Sequence, residues 1–262
     1  MKRTLFTLLI VAASCITVFA QDGQERQNPF QVDAFGDILI SDFLARADHF
    51  AIEIQNNPSA KAYIVAYIVP NKFPGFPLRR ANWARGYLMR GRGIDSGRVE
   101  VINGGYRDEV RFEFWLTDSD SKPPVTPFDF SAALSREKKP FLFDRIYYPL
   151  PSPDETGIES GYIGYLDEEG WYEPFVTALR SDPASRGCVI AYAASRNRRG
   201  SDRVMAASVK RAIMRTHAIG ADRIVPIAGG RRPHKGVELW IVPPGAELPK
   251  PSPTVRPKKR KR

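Results

Sequence analysis

The chain repeats itself. Written against itself at an ungapped offset of 125 residues, Phe50 meets Phe175, Pro58 meets Pro183, and Ala66-Tyr67 meets Ala191-Tyr192. The same register pairs Ala81 with Ala206, Met89-Arg90 with Met214-Arg215, Ile94 with Ile219 and Arg98 with Arg223. It ends by pairing Gly104-Gly105 with Gly229-Gly230, Arg107 with Arg232, Glu113 with Glu238 and Trp115 with Trp240. Short matches arise by chance, but one register held from Phe50 to Trp115 marks an internal duplication. The fold must therefore be one that a unit of roughly 85 residues can form twice, each with a modest core of its own.

Hydrophobic periodicity says what that unit is. In the first copy Phe43, Ala47, Phe50, Ala51 and Ile54 recur at helical spacing. Ala62 to Val69 is a continuous apolar, β-branched and aromatic run, the mark of a strand buried on both faces. Ala81, Ala84 and Leu88 predict a second helix, with Pro77 at its start and Gly93 closing it. Arg98 to Asn103 reads as extended, Gly104-Gly105 as a hairpin turn, and Val110 to Leu116 as an alternating strand. A short extended piece near Asp37 to Ile40 leads the unit. The second copy follows suit: Tyr172, Phe175, Val176 and Leu179, then Val189 to Tyr192, then Ala206, Val209 and Ile213. Arg223 to Ile227 and Val237 to Val242 supply its later strands. The predicted fold class is α/β, an α+β sandwich of two tandem βαβαββ units. Each has parallel neighbours, right-handed crossovers and helices on one face of a mixed sheet.

The units are expected at residues 30–116 and 154–243. Between them, residues 117–153 carry seven prolines and several aromatics and read as a proline-rich linker. Residues 244–262 are rich in proline and then basic, so they read as an extended, disordered tail. The tail explains the charge. The formal net charge is +10, yet residues 250–262 hold seven bases and no acid. The span 21–249 is near neutral, so a nucleic-acid-binding domain is not implied and no nucleic-acid partner is expected. The tail could instead touch an anionic membrane surface.

The N-terminus has the layout of a secretory signal: Lys2 and Arg3, an apolar core from Leu5 to Val18, and small residues at Val18 and Ala20 before a cut at Gln21. The expected location is periplasmic or extracellular. An uncleaved anchor, or lipidation of Cys15 in Ala12-Ala13-Ser14-Cys15, are the alternatives. Export would leave Cys188 as the sole cysteine, in a run that reads as a buried strand. The scattered His49, His217 and His234 have no metal-binding spacing. No nucleophile elbow or cysteine–histidine spacing occurs, so neither an enzyme nor a cofactor is expected.

The candidate binding surface is the loop before each second helix, because loops at strand C-termini and helix N-termini gather anions in sheets of this kind. The first copy offers Asn71, Lys72, Arg79 and Arg80; the second offers Arg196, Arg198, Arg199 and Arg203. The bland reading is a solvated basic loop. The duplicated Arg98/Arg223, Arg107/Arg232 and Glu113/Glu238 read as structural, such as cross-strand ion pairs beside the hairpin.

Arg80-Ala81, Tyr87-Leu88 and Gly93-Ile94, following a buried strand and a loop, resemble the OmpA C-terminal-like, peptidoglycan-binding domain. The resemblance covers residues 35–116 well and 160–242 more loosely. Residues 50–58, 104–107 and 237–254 are also similar to a group of exported bacterial proteins that carry no assigned activity. In the OmpA-like family an Asp after the strand and an Arg on the next helix hold the ionic groups of a diaminopimelate. Arg80 stands at the Arg position, but Ile68 to Lys72 contains no Asp. The second copy has Ala193-Ala194 in the loop and Met205 opposite Arg80. The resemblance thus implies a degenerate, duplicated form of the domain. Weak association with peptidoglycan or another anionic envelope polymer is the expected role, and a scaffold that binds protein partners is the alternative.

Overall fold

The structure is a computed structural model, and it describes residues 28–70, 72–130, 138–147 and 168–254. The first unit runs β1 (Phe30–Phe35), α1 (Ile40–Asn56), β2 (Lys61–Ile68), α2 (Gly75–Arg92), β3 (Val99–Tyr106) and β4 (Arg111–Thr117). The second runs β5 (Phe141–Tyr147), α3 (Glu168–Ser181), β6 (Arg186–Ala194), α4 (Ser201–His217), β7 (Ile224–Arg232) and β8 (Gly236–Val242). Both sheets are four-stranded and mixed, in the orders β1-β4-β2-β3 and β5-β8-β6-β7. The expected βαβαββ class is therefore present twice.

The central strands show why the apolar run was continuous. Ala62, Ile64, Ala66 and Ile68 face the helices, while Tyr63, Val65 and Tyr67 form a separate cluster on the opposite face. In β6, Val189 and Ala191 face the helices, and Cys188, Ile190 and Tyr192 face away. Burial pushes the Cys188 thiol up to about 12, so it is a packing group rather than a thiolate. The C-terminal end of α2 follows its sequence signal, whereas its start lies at Gly75, two residues before Pro77. Gly93 closes α2 in the left-handed conformation at φ +68°, and the Ile94 N–H donates back to the Leu88 carbonyl.

Several expectations need correction. The leading strand is Phe30–Phe35, upstream of the Asp37–Ile40 piece. Gly104-Gly105 is not a hairpin turn but lies within β3, where the pairing to β2 slips by a bulge between Ala66 and Ile68. A Cβ on Gly104 would sit 2.4 Å from the Tyr67 ring, and Gly105 has φ +84°. Gly229 and Gly230 repeat both features, against Tyr192 and at φ +85°. Two glycines are required because one admits a ring and the other a backbone twist. Nor is β3–β4 a hairpin. The chain passes over β2, and β4 inserts between β1 and β2, antiparallel to both. Among the described residues only β2–β3 and β6–β7 are parallel neighbours.

The expected linker 117–153 also divides differently. Residues 141–147 are β5, the edge strand of the second sheet, so the second unit begins there rather than at 154. The repeat register missed this strand because residues 36–39 join β1 to α1, whereas residues 148–167 stand between β5 and α3. Asp33 and Asp144 are consequently equivalent: each follows a bulge and accepts a hydrogen bond from the next backbone N–H. The expected disordered tail is corrected too. Residues 243–254 lie across the outer face of the second sheet, where Ala246 and Leu248 pack on the Cys188 cluster. The segment 255–262, and the expected signal at 1–20, lie outside the described residues.

The four described helices form one layer in which α2 packs against α1, α3 and β5. Gly75, at the start of α2, lies so close to the second unit that a Cβ there would be 2.6 Å from the Asp144 Cβ. Phe130, Phe143 and Phe175 form a chain of rings, each 5.8 Å from the next, and one apolar core continues through both units.

Candidate functional site

Each candidate loop leaves the C-terminal end of a central strand and enters the N-terminus of a second helix. The two copies put that loop to different use.

In the first unit the charges are engaged internally. Arg80 was expected as a free ligand-binding guanidinium. It instead donates from Nη1 to Asp37 Oδ1 at 2.6 Å and from Nη2 to the Ile38 carbonyl. Its guanidinium also lies 5.0 Å from the Phe43 ring centre. This staples the β1–α1 connection onto α2. Arg79 donates from Nε and Nη2 to the Asp144 carboxylate at 2.8 and 3.3 Å. Asp144 is only 2% exposed, so this bond ties the first unit to the second. Lys72 is exposed on the loop, and Asn71 lies outside the described residues. Beside them Arg145 lies over Phe73, 5.0 Å from its ring centre. The mouth of the first unit is thus covered by β5.

In the second unit no described residue covers the equivalent mouth. Arg196, Arg198, Arg199 and Arg203 are all exposed. A pocket of about 510 Å³ opens there, with Tyr172, Ala193 and Met205 among its apolar walls and Arg198, Arg199 and Lys235 among its cations. Arg196 and Arg203 are outside that lining. No side-chain ion pair holds Arg198 or Arg199 among the described residues. The α4 N-terminus meets the loop at Gly200, with φ +82° and no side-chain cap, so its first N–H groups add positive potential.

The loop is shaped by a residue that sequence reasoning missed. Arg231 donates from Nη1 to the carbonyls of Ala194 and Ser195 at 3.0 and 2.8 Å, and from Nη2 to that of Asn197 at 2.8 Å. The Asn197 side chain accepts from the Ala194 N–H at 2.7 Å, and Ser201 donates to the Arg198 carbonyl. The duplication could not flag Arg231, because its counterpart is Tyr106. Asp202, the nearest acid on α4, accepts from the Gly230 N–H at 3.0 Å and so is tied back to β7.

The duplicated charged residues resolve into two separate devices. Arg98 is not a cross-strand partner. It donates to the carbonyls of Ile54, Asn57 and Ala60 at the end of α1. Arg223 does the same for Leu179, Asp182 and Ser185 at the end of α3. A cation there satisfies orphan carbonyls and opposes the negative end of the helix dipole. The second device is a buried carboxylate on the outer sheet face. Glu238 accepts from Tyr192 Oη and Trp240 Nε1, both at 3.2 Å, and from Arg232 Nη1 at 2.9 Å. Glu113 accepts from Tyr67 Oη at 3.1 Å and Trp115 Nε1 at 3.0 Å, with Arg107 at 3.8 Å. Arg232 and Arg107 lie over the rings of Tyr192 and Tyr67. The Arg–Glu association was legible, but not the convergence of Tyr and Trp on the same carboxylate.

Among the described residues no group of three or more His, Cys, Asp or Glu side chains could hold a metal ion, and no helix is long and apolar enough to cross a membrane. No family model matches the chain, and no curated protein matches it.

Proposed function

We propose that this is an exported, non-enzymatic protein of the cell envelope that associates weakly with an anionic polymer, peptidoglycan being the leading candidate. The contact is made by the β6–α4 loop of the second unit. The observation that carries this reading is the asymmetry between the two mouths. Arg79 and Arg80 are engaged by Asp144 and Asp37, whereas Arg198 and Arg199 line a pocket and meet no acid among the described residues. Guanidinium groups fit carboxylates by their fork geometry, and a helix N-terminus beside them favours the same sign of ligand. The secretory layout of residues 1–20 supports the reading, because export would bring the chain to such a polymer.

The test is co-sedimentation of residues 21–254 with purified sacculi at low and high salt. Stopping after Thr254 removes the basic end while keeping the packed segment that precedes it. Pelleting that is reduced at least about fivefold by R198A/R199A supports the reading, since two charged contacts of this kind carry about 1 kcal/mol or more. Pelleting unchanged by the double substitution would show that this loop does not make the contact. A scaffold role is the second reading, and the seating of Phe143 and Asp144 on the start of α2 favours it. Absence of pelleting at every salt concentration would leave that reading in place.

A further inference from the structure

The segment after β8 is held on the outer face of the second sheet by directed polar bonds. The Ser252 N–H donates to Tyr192 Oη at 3.1 Å. Arg232 donates from Nη2 to Ser252 Oγ at 2.7 Å and from Nε to the Ser252 carbonyl at 3.3 Å. The Thr254 N–H donates to the carbonyl of Arg231 on the edge strand β7 at 3.0 Å. Pro253 lies over Gly230, 3.0 Å from where a Cβ would stand. Residues 251–254 are themselves exposed, so they are fixed by recognition of their backbone and one hydroxyl rather than by burial.

The first unit supplies a comparison. Its own proline-rich segment crosses the same face: Val125 packs beside Tyr67 and Trp115, and the Phe128 N–H donates to the Asn103 carbonyl at 2.8 Å. At the repeat offset the position of Ser252 is Pro127, which has neither N–H nor hydroxyl. The arginine responds accordingly. Arg107 is 48% exposed, whereas Arg232 is 13% exposed.

We propose that the outer face of the second unit is a peptide-binding groove for an extended, proline-flanked serine segment, and that residues 249–254 occupy it in cis. Tyr192 and Arg232 read the serine through its N–H, carbonyl and hydroxyl. Gly230 admits the following proline, and the edge of β7 pairs with the residue after it. Proline on either side holds the segment extended before it binds, which lowers the ordering cost. The groove lies on the outer sheet face and meets the basic loop only through β7, where Arg231 gives its carbonyl to Thr254 and its side chain to the loop; the proposal does not rest on polymer binding.

A fluorescent peptide spanning residues 249–256 tests this, with anisotropy as the readout. A chain ending at Leu248 should bind the peptide, and a peptide with Ser252→Pro should not. The chain ending at Thr254 should bind at least about tenfold more weakly, because its tethered segment competes at high effective concentration. Should the shortened chain fail to keep its near-ultraviolet dichroism, the full-length S252P protein replaces it. That protein keeps every other residue and loses the serine's N–H and hydroxyl contacts. Absence of binding by whichever chain is folded, or equal binding of the serine and proline peptides, would overturn the proposal.

Discussion

Arg79 and Asp144 join the two units through an ion pair in which the carboxylate is almost wholly removed from water. The equivalent acid in the first unit, Asp33, pairs instead with Arg46 of its own unit, and both of those side chains are more exposed. One sequence position therefore serves as a local tether in one copy and as the inter-unit lock in the other.

Breaking the lock should cost far more than breaking the tether. R79A leaves a buried carboxylate with its main charged partner gone, and should destabilise the protein by about 2–4 kcal/mol. R46A should cost at most about 1 kcal/mol, since solvent screens the exposed pair. Urea unfolding of both variants measures the difference. Equal losses would mean that the Arg79–Asp144 pair does not hold the units together.

Acid should weaken the outer-face network. Burial raises the affinity of the Glu238 carboxyl for a proton, but hydrogen bonds and charge from Arg232 and Arg145 outweigh it and hold the group below the usual carboxylate range. A depressed folded value means that the unfolded chain binds the proton more readily. The stabilisation is present above the ordinary value of about 4.5 and is lost as pH falls through the lower folded value. Stability measured from about pH 6 to pH 3 should drop with a steeper slope in the parent than in E238Q. Identical slopes would show that this carboxylate contributes nothing to acid sensitivity.

The two copies end their second helices differently. Gly93 takes the left-handed position after α2 at φ +68°, while Ala218 takes it after α4 at φ +47°. A side chain in that region is strained, so A218G should stabilise by about 0.5–1 kcal/mol. G93A should destabilise by about 1 kcal/mol. Thermal melting of the pair checks the sign: opposite shifts in Tm are expected, of about 2–4 °C per kcal/mol.

Much of the architecture was legible because its signals are local. The apolar run from Ala62 to Val69, the helical spacing from Phe43 to Ile54 and the closing Gly93 each describe their own element. The strand β5 was not legible. Its companion β1 shows the same bulged Asp, but residues 148–167 break the repeat register between β5 and α3. Gly104-Gly105 looked like a turn because positive φ and close approach serve turns and bulges alike. Only the Tyr67 ring over Gly104 distinguishes them.

The sequence by itself determined that one unit with the order αβαββ occurs twice, that its central strand is apolar on both faces, and that the basic excess gathers near the C-terminus. Those properties follow from periodicity and composition. Which arginines find a carboxylate within the fold was decided only by the tertiary structure. Arg80 finds Asp37 across 43 residues and Arg79 finds Asp144 across 65, while Arg198 and Arg199 meet no acid among the described residues. A guanidinium looks the same in every sequence window. Its role is set by the oxygen that folding brings within about 3 Å, because charge-assisted bonds act only at that range and direction.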